Sequence, residues 1–155
     1  MSRPSVLFVC LGNICRSPLA EAAFRAEAMR IGLEVKVDSA GTGDWHVGQP
    51  PDRRAQATAL RNGVDISGYR GRQVTPEDFR RFTHIVAQDR DNLSNLMRMR
   101  PRDAIAELSL MLEHAGRPGE SVADPYYGDE EDFDVTWWDV TRAAEGLARR
   151  LSIRD

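Results

Sequence analysis

The chain has 155 residues, enough for one domain around a single core, and its 41% apolar and 29% charged content is ordinary for a globular protein. A net charge of −3 leaves no overall basic footprint for nucleic acid, and no apolar run is long enough to cross a membrane. With no leader-like apolar segment and only Cys10 and Cys15, neither a disulfide framework nor a zinc site is expected, and a reducing cytoplasm is.

Val6-Leu7-Phe8-Val9 is a short β-branched and aromatic run, the pattern of a buried strand. Ser17-Pro18 is a helix start, with Ser17 expected as N-cap and Pro18 at the first helical position. Cys10-Leu11-Gly12-Asn13-Ile14-Cys15-Arg16 lies between them. A loop that feeds a helix N-terminus aims several backbone N–H groups at one point, where the helix dipole favours an anion. Leu11, Gly12, Asn13, Ile14, Cys15 and Ser17 are therefore expected to line a phosphate cradle. Arg16 adds a planar fork of donors that matches two phosphate oxygens. A field that attracts an anion also stabilises a thiolate, which makes Cys10 a candidate nucleophile, and Ser17 is placed to hydrogen-bond it. Asn13 tolerates the left-handed backbone that inward N–H groups require. The loop lacks the second Gly and the Lys of a Walker loop, and it is not the dinucleotide-binding glycine fingerprint.

Leu19 to Ile31 is helix-prone and stops at Gly32, and Glu34 to Ser39 alternates as a strand. The loop from Ala40 to Pro51 follows the C-terminal end of that strand, where open α/β sheets place ligands. Trp45 in this loop is either ordinary packing or an aromatic wall beside the cradle. Asp52 to Arg61 is a helix ended by Asn62-Gly63, and Thr75-Pro76-Glu77-Asp78 opens another toward Phe79 and Phe82. His84 to Ala87 is a strand. Asp89 to Arg100 is a helix with Leu93, Leu96 and Met97 on one side, ended by Pro101. Arg98, Arg100 and Arg102 form a basic cluster, either a solvated face or a dock for acidic peptides. Ala104 to Leu108 is a fourth strand, and Glu113 to Ala123 a polar loop. Phe133, Trp137, Val140, Ala144, Leu147 and Leu151 mark one face of a long C-terminal helix, with Trp138 pointing elsewhere. Strands alternating with helices give an α/β fold with a parallel sheet covered on both faces.

Cys10 through Pro18 resembles the active-site loop of the low-molecular-weight protein tyrosine phosphatases at every position. The resemblance implies a doubly wound, four-stranded parallel sheet over the whole chain, 1–155 as one domain, and metal-independent hydrolysis of phosphotyrosine. It implies no cofactor, phosphotyrosine-bearing proteins or peptides as partners, and room for weak self-association, without nucleic acid or membrane insertion. A phosphocysteine route needs an acid for the leaving phenolate and then a base for water. Spacing alone does not separate Asp124 from Asp129 or Asp132. The resemblance of Asp124-Pro125-Tyr126-Tyr127-Gly128 to the family's acid loop assigns the role to Asp124. It also favours Trp45 and His46 opposite Tyr126 and Tyr127 as walls of a deep slot, and Cys15 as a thiol that protects Cys10 by a reversible disulfide.

Two positions depart from the family pattern. Tyr69 stands where relatives often carry a His that supports the cradle, and His46 where some carry Asn. Arsenate reductases of this fold need later cysteines, which are missing after Cys15. Related protein-arginine phosphatases typically carry Thr at the position of Ile14 and lack the paired tyrosines. A silent phosphotyrosine-binding module is disfavoured by the presence of Cys10, Arg16 and Asp124 together. A metal-dependent phosphatase is disfavoured by the scattered His46, His84 and His114.

Overall fold

The computed structural model describes residues 3–153, so both ends of the expected domain lie outside the described residues. Strands β1 (Ser5–Cys10), β2 (Lys36–Gly41), β3 (His84–Ala87) and β4 (Glu107–Leu110) form one parallel sheet in the order β2-β1-β3-β4. β1 runs inside the sheet, paired with β2 from Ser5↔Lys36 to Cys10↔Gly41 and with β3 on its other edge. A strand covered on both faces needs an unbroken apolar run, and Val6 through Val9 are fully buried.

The strand's alternation divides the core. Val6 and Phe8 face α1 (Arg16–Ile31), α2 (Arg53–Arg61) and α5 (Glu130–Ile153), where Phe8 and Phe24 pack at 5.5 Å between ring centroids. Leu7 and Val9 face α3 (Asp78–Arg81) and α4 (Arg90–Met99) through Phe79 and Leu96. α1 is buried around most of its first half because Ala20, Ala22 and Ala23 let neighbours approach closely. Gly32 ends it at φ 74°, with Leu33 N–H donating to Ala28 O. Among the described residues no helix is long and apolar enough to cross a membrane.

Several expected boundaries move, each for a local reason. α1 starts at Arg16 with Cys15 as N-cap, so Ser17 is not the cap; its hydroxyl is committed to Cys10. Pro18 then sits third in the helix, where its missing N–H still removes no intrahelical bond. β2 runs two residues later than expected and ends at Gly41, whose N–H donates to Arg72 O. β4 also shifts later, because Ile105 and Ala106 turn their N–H groups onto Phe79 O and leave Ile105 exposed. α3 is one turn long, and the Thr75 side chain does not cap it; the Asp78 carboxylate instead accepts from Thr75 N–H. On α4, Leu93 and Leu96 pack inward but Met97 is exposed. Met111–Ala115 is a 3₁₀ turn that takes the first part of the expected polar loop. Trp137 packs half-buried against the core, and exposed Trp138 carries the Arg142 guanidinium 4.4 Å above its ring.

His114 Nε2 lies 2.9 Å from Ser109 Oγ, and burial pushes its imidazolium below the usual range. As the pH drops through about 6.5, the unfolded chain binds a proton here that the folded chain refuses, so stability falls on acidification. His114→Gln is expected to flatten the fall in Tm between roughly pH 7 and pH 5. An unaltered slope in thermal melts would assign the effect to another group.

Candidate active site

β1 delivers Cys10 and α1 takes the chain away at Arg16, at the carboxyl ends of strands whose order reverses around β1. This is where an open α/β sheet leaves a crevice. Among the described residues Asn13 is the only non-glycine with positive φ, at 58°. That twist points its N–H at Cys10 Sγ, 3.2 Å away. Ser17 Oγ lies 3.0 Å from the same sulfur.

The direction of that second bond follows from its neighbours. Arg72 N–H, a donor only, meets Asn13 Oδ1 at 3.1 Å, which fixes the orientation of the Asn13 amide. Asn13 Nδ2 then donates to Ser17 Oγ at 2.7 Å and to Ser39 Oγ at 3.0 Å. Ser39 donates onward to the buried Glu21 carboxyl at 2.7 Å, and Ser17 is left to donate to Cys10. The sulfur thus receives two hydrogen-bond donors. Burial raises the Glu21 carboxyl, against the Ser39 and Arg25 hydrogen bonds that lower it. Tyr69 is half-buried against the core, its hydroxyl pushed up to about 12 by burial and by Glu21. Asn13 is therefore supported by Ser39, Glu21 and the Arg72 backbone.

Arg16 is only 4% exposed. Its Nη1 donates to Asp89 Oδ2 at 2.8 Å and to Val122 O at 2.9 Å. Asp89 also N-caps α4, accepting from Asn92 N–H at 2.7 Å. One carboxylate thereby fixes a helix start and one arm of the guanidinium, and no hydrogen bond within the described residues uses Nε or Nη2. Asp124 Oδ2 lies 3.7 Å from Arg16 Nη2, and its Oδ1 accepts from Tyr126 N–H at 3.1 Å. Val122, two residues before, is anchored by its N–H to Gln88 O at 2.8 Å.

Cys10, Leu11, Gly12, Ile14, Cys15, Arg16, Trp45, His46, Asp124, Tyr126 and Tyr127 line one cavity of about 270 Å³. All the expected site residues meet there except Asn13 and Ser17, which stand behind the sulfur. Trp45 is 65% exposed yet pinned, since a Cβ on Gly43 would fall 2.0 Å from its ring. Tyr127 is 96% exposed and touches Tyr126 edge-on at 5.0 Å, so it stands at the rim while Tyr126 forms the wall. Arg54 backs that wall: Asp52 holds its guanidinium, which lies 5.6 Å from the Tyr126 ring and donates to Gly128 O at 3.2 Å. Both cysteines are free and buried. Burial first, then Asp52, Cys10 and Asp124, drive the Cys15 thiol far above its ordinary range. Ser39, Glu21, Arg54 and Gly43 carried no local motif that marked them, and Asp89 showed only as a helix start; their roles at the site appear only when distant segments meet. Among the described residues no three His, Cys, Asp or Glu side chains group as a metal site.

The family model for low molecular weight phosphotyrosine protein phosphatase matches residues 5–154. The chain belongs to that phosphatase family. It is 47% identical over 133 residues to the low molecular weight phosphotyrosine protein phosphatase of Schizosaccharomyces pombe, covering 83% of this chain and 84% of that relative. A protein tyrosine phosphatase from Entamoeba histolytica, solved with Hepes in its active site, superposes with a TM-score of 0.91 at 34% identity over 97% of this chain and 98% of that one. A drosophila arginine phosphatase superposes with a TM-score of 0.88 at 31% identity, over 94% and 96% of the two chains.

In this phosphatase, Asp89→Asn keeps an acceptor for the α4 cap but loses the charge beside Arg16. It is expected to lower kcat on an aryl phosphate about tenfold, close to 1.4 kcal/mol, with little change in Tm. Asp89→Ala should lower kcat similarly and lose about 1 kcal/mol of stability with the cap. Kinetics and melts on the two variants check both expectations; a normal kcat in Asp89→Asn would show that the pair does not orient Arg16.

Proposed function

We propose that residues 1–155 form one phosphatase domain that hydrolyses phosphotyrosine through a phosphocysteine on Cys10, without a metal. The observation that carries the reading is the convergence of Cys10, Arg16 and Asp124 on one aromatic-walled cavity. The Cys10 thiolate attacks phosphorus in line while the bond to the tyrosyl oxygen breaks. Asp124 protonates the departing phenolate. Arg16 Nε and Nη2 and the amides of Leu11, Gly12, Ile14 and Cys15 hold the equatorial oxygens, best matched to the transition state, while the Asn13 N–H and the Ser17 hydroxyl serve the Cys10 sulfur rather than the phosphate expected of them. Asp124, now ionised, takes a proton from water as it attacks phosphorus; the S–P bond breaks, and phosphate and the thiolate are released.

Trp45 and Tyr126 sandwich an aryl ring, and His46 stands beside them at the mouth. The depth of the cavity lets a phosphotyrosine reach Cys10 and leaves a phosphoserine short. The test is hydrolysis of phosphotyrosine, phosphoserine and phosphoarginine substrates in EDTA. Turnover should persist on chelation, favour phosphotyrosine, vanish in Cys10→Ser, and drop about a hundredfold or more in Asp124→Asn. A preference for phosphoarginine would reassign the substrate, and activity surviving in Cys10→Ser would overturn the mechanism.

Cys15 extends this reading to oxidation. Peroxide converts the Cys10 thiolate to a sulfenic acid; the Cys15 thiol attacks that sulfur, water leaves, and a disulfide forms that a dithiol reduces. After peroxide and then dithiothreitol, wild type should recover most of its activity and Cys15→Ala little. Equal recovery would remove the protective role.

A further inference from the structure

Two grooves leave the catalytic cavity over Leu11. One is lined by Arg16, Asp89, Asp91, Asn95, Arg98 and Asp124, among others, and is acidic. The other is lined by Leu11, Thr42, Gly43, Trp45, Asn95, Arg98 and Met99, and contains no carboxylate. Leu11 and Trp45 belong both to this second groove and to the cavity, so the two are continuous. Arg98 is its one charged group. Its guanidinium is exposed, bonds only the neighbouring Asn95 amide, and makes no ion pair among the described residues. Arg16, Arg54 and Arg72, the other arginines near the site, each hold a carboxylate. Of the basic cluster, Arg100 and Arg102 line neither groove.

We propose that Arg98 is a specificity-determining residue that reads an acidic side chain flanking the phosphotyrosine of a substrate peptide. The proposal rests on the phosphotyrosine reading above. With the aryl ring between Trp45 and Tyr126, the peptide backbone crosses the rim. Each residue advances about 3.5 Å, so one within two or three positions of the phosphotyrosine comes over the second groove. There the apolar stem of a Glu lies on Leu11 and Met99, and its carboxylate meets the Arg98 guanidinium, which borders the acidic groove as well yet ion-pairs with none of its carboxylates among the described residues. The groove's partner is therefore the acidic segment of the substrate itself.

The experiment compares kcat/KM for phosphotyrosine peptides carrying Glu, Ala or Lys at each position up to three residues either side, with p-nitrophenyl phosphate as the flank-free control. Wild type is expected to favour Glu over Ala about three- to fivefold at one position, and the preference should fade as salt shortens the screening length. Arg98→Ala should abolish it and Arg98→Glu invert it toward Lys, with p-nitrophenyl phosphate turned over as in wild type. Normal turnover of every peptide with no Glu preference, or a preference that survives Arg98→Ala, would overturn the assignment of Arg98. Failure of wild type on both p-nitrophenyl phosphate and all phosphotyrosine peptides would instead overturn the phosphatase reading beneath it, and this inference with it.

Discussion

The geometry of the cradle depends on the left-handed backbone of Asn13. At φ 58° its N–H turns inward to Cys10 Sγ, and its side chain lies between the loop and the strand behind it. Three segments far apart in the chain then converge on one amide: Ser17 of α1, Ser39 of β2 and the Arg72 backbone. Asn suits the position because the conformation is cheap for it and because its amide has donors and an acceptor to spend. A Gly would allow the turn and lose the bracing; an Ala would lose the bracing and strain the turn.

Arg16 is braced by equivalent logic from the other side. Its charge is buried, which is tolerable only because Asp89 and the Val122 carbonyl take one arm. Val122 hangs from the Gln88 carbonyl at the end of β3, and two residues further on the chain presents Asp124. The same short stretch therefore sets both the guanidinium and the carboxyl facing it. Arg54 performs the corresponding task for the wall, tying the Asp52 cap of α2 to Tyr126 and Gly128. The cavity is a rigid junction of helix starts and strand ends.

The parts legible in sequence were those whose physics is local. The β1 run, the cysteine-to-arginine loop, the left-handed Asn13 and the Gly32 cap all follow from neighbours in the chain, and β3 appears where its apolar run lies. The family resemblance supplied Asp124, which spacing could not separate from Asp129 and Asp132. The misplaced boundaries were decided by distant partners. Ile105 and Ala106 look like strand residues until Phe79 O takes their N–H groups, and Ser17 looks like a cap until Cys10 claims its hydroxyl. Asp89 was visible as a helix start, but its second oxygen on Arg16 was not. Gly43 gave no signal because its role is to be flat beneath Trp45.

One loop also holds two cysteines in different surroundings. Cys10 receives hydrogen bonds from Asn13 N–H and Ser17, whereas no hydrogen bond to Cys15 Sγ exists among the described residues. Cys15 is instead buried, and Asp52, Cys10 and Asp124 add to that burial in opposing a negative charge on it. A second anion at Cys15 would be costly in the cavity that Cys10 also lines, since like charges in one small space repel each other. Keeping Cys15 protonated removes that repulsion while leaving a thiol within the same cavity. Burial and the acidic neighbours make Cys15 a slow nucleophile, and oxidation of Cys10 to a neutral sulfenic acid removes one of the groups that oppose its ionisation, so any attack by Cys15 is favoured only after Cys10 has become an electrophile.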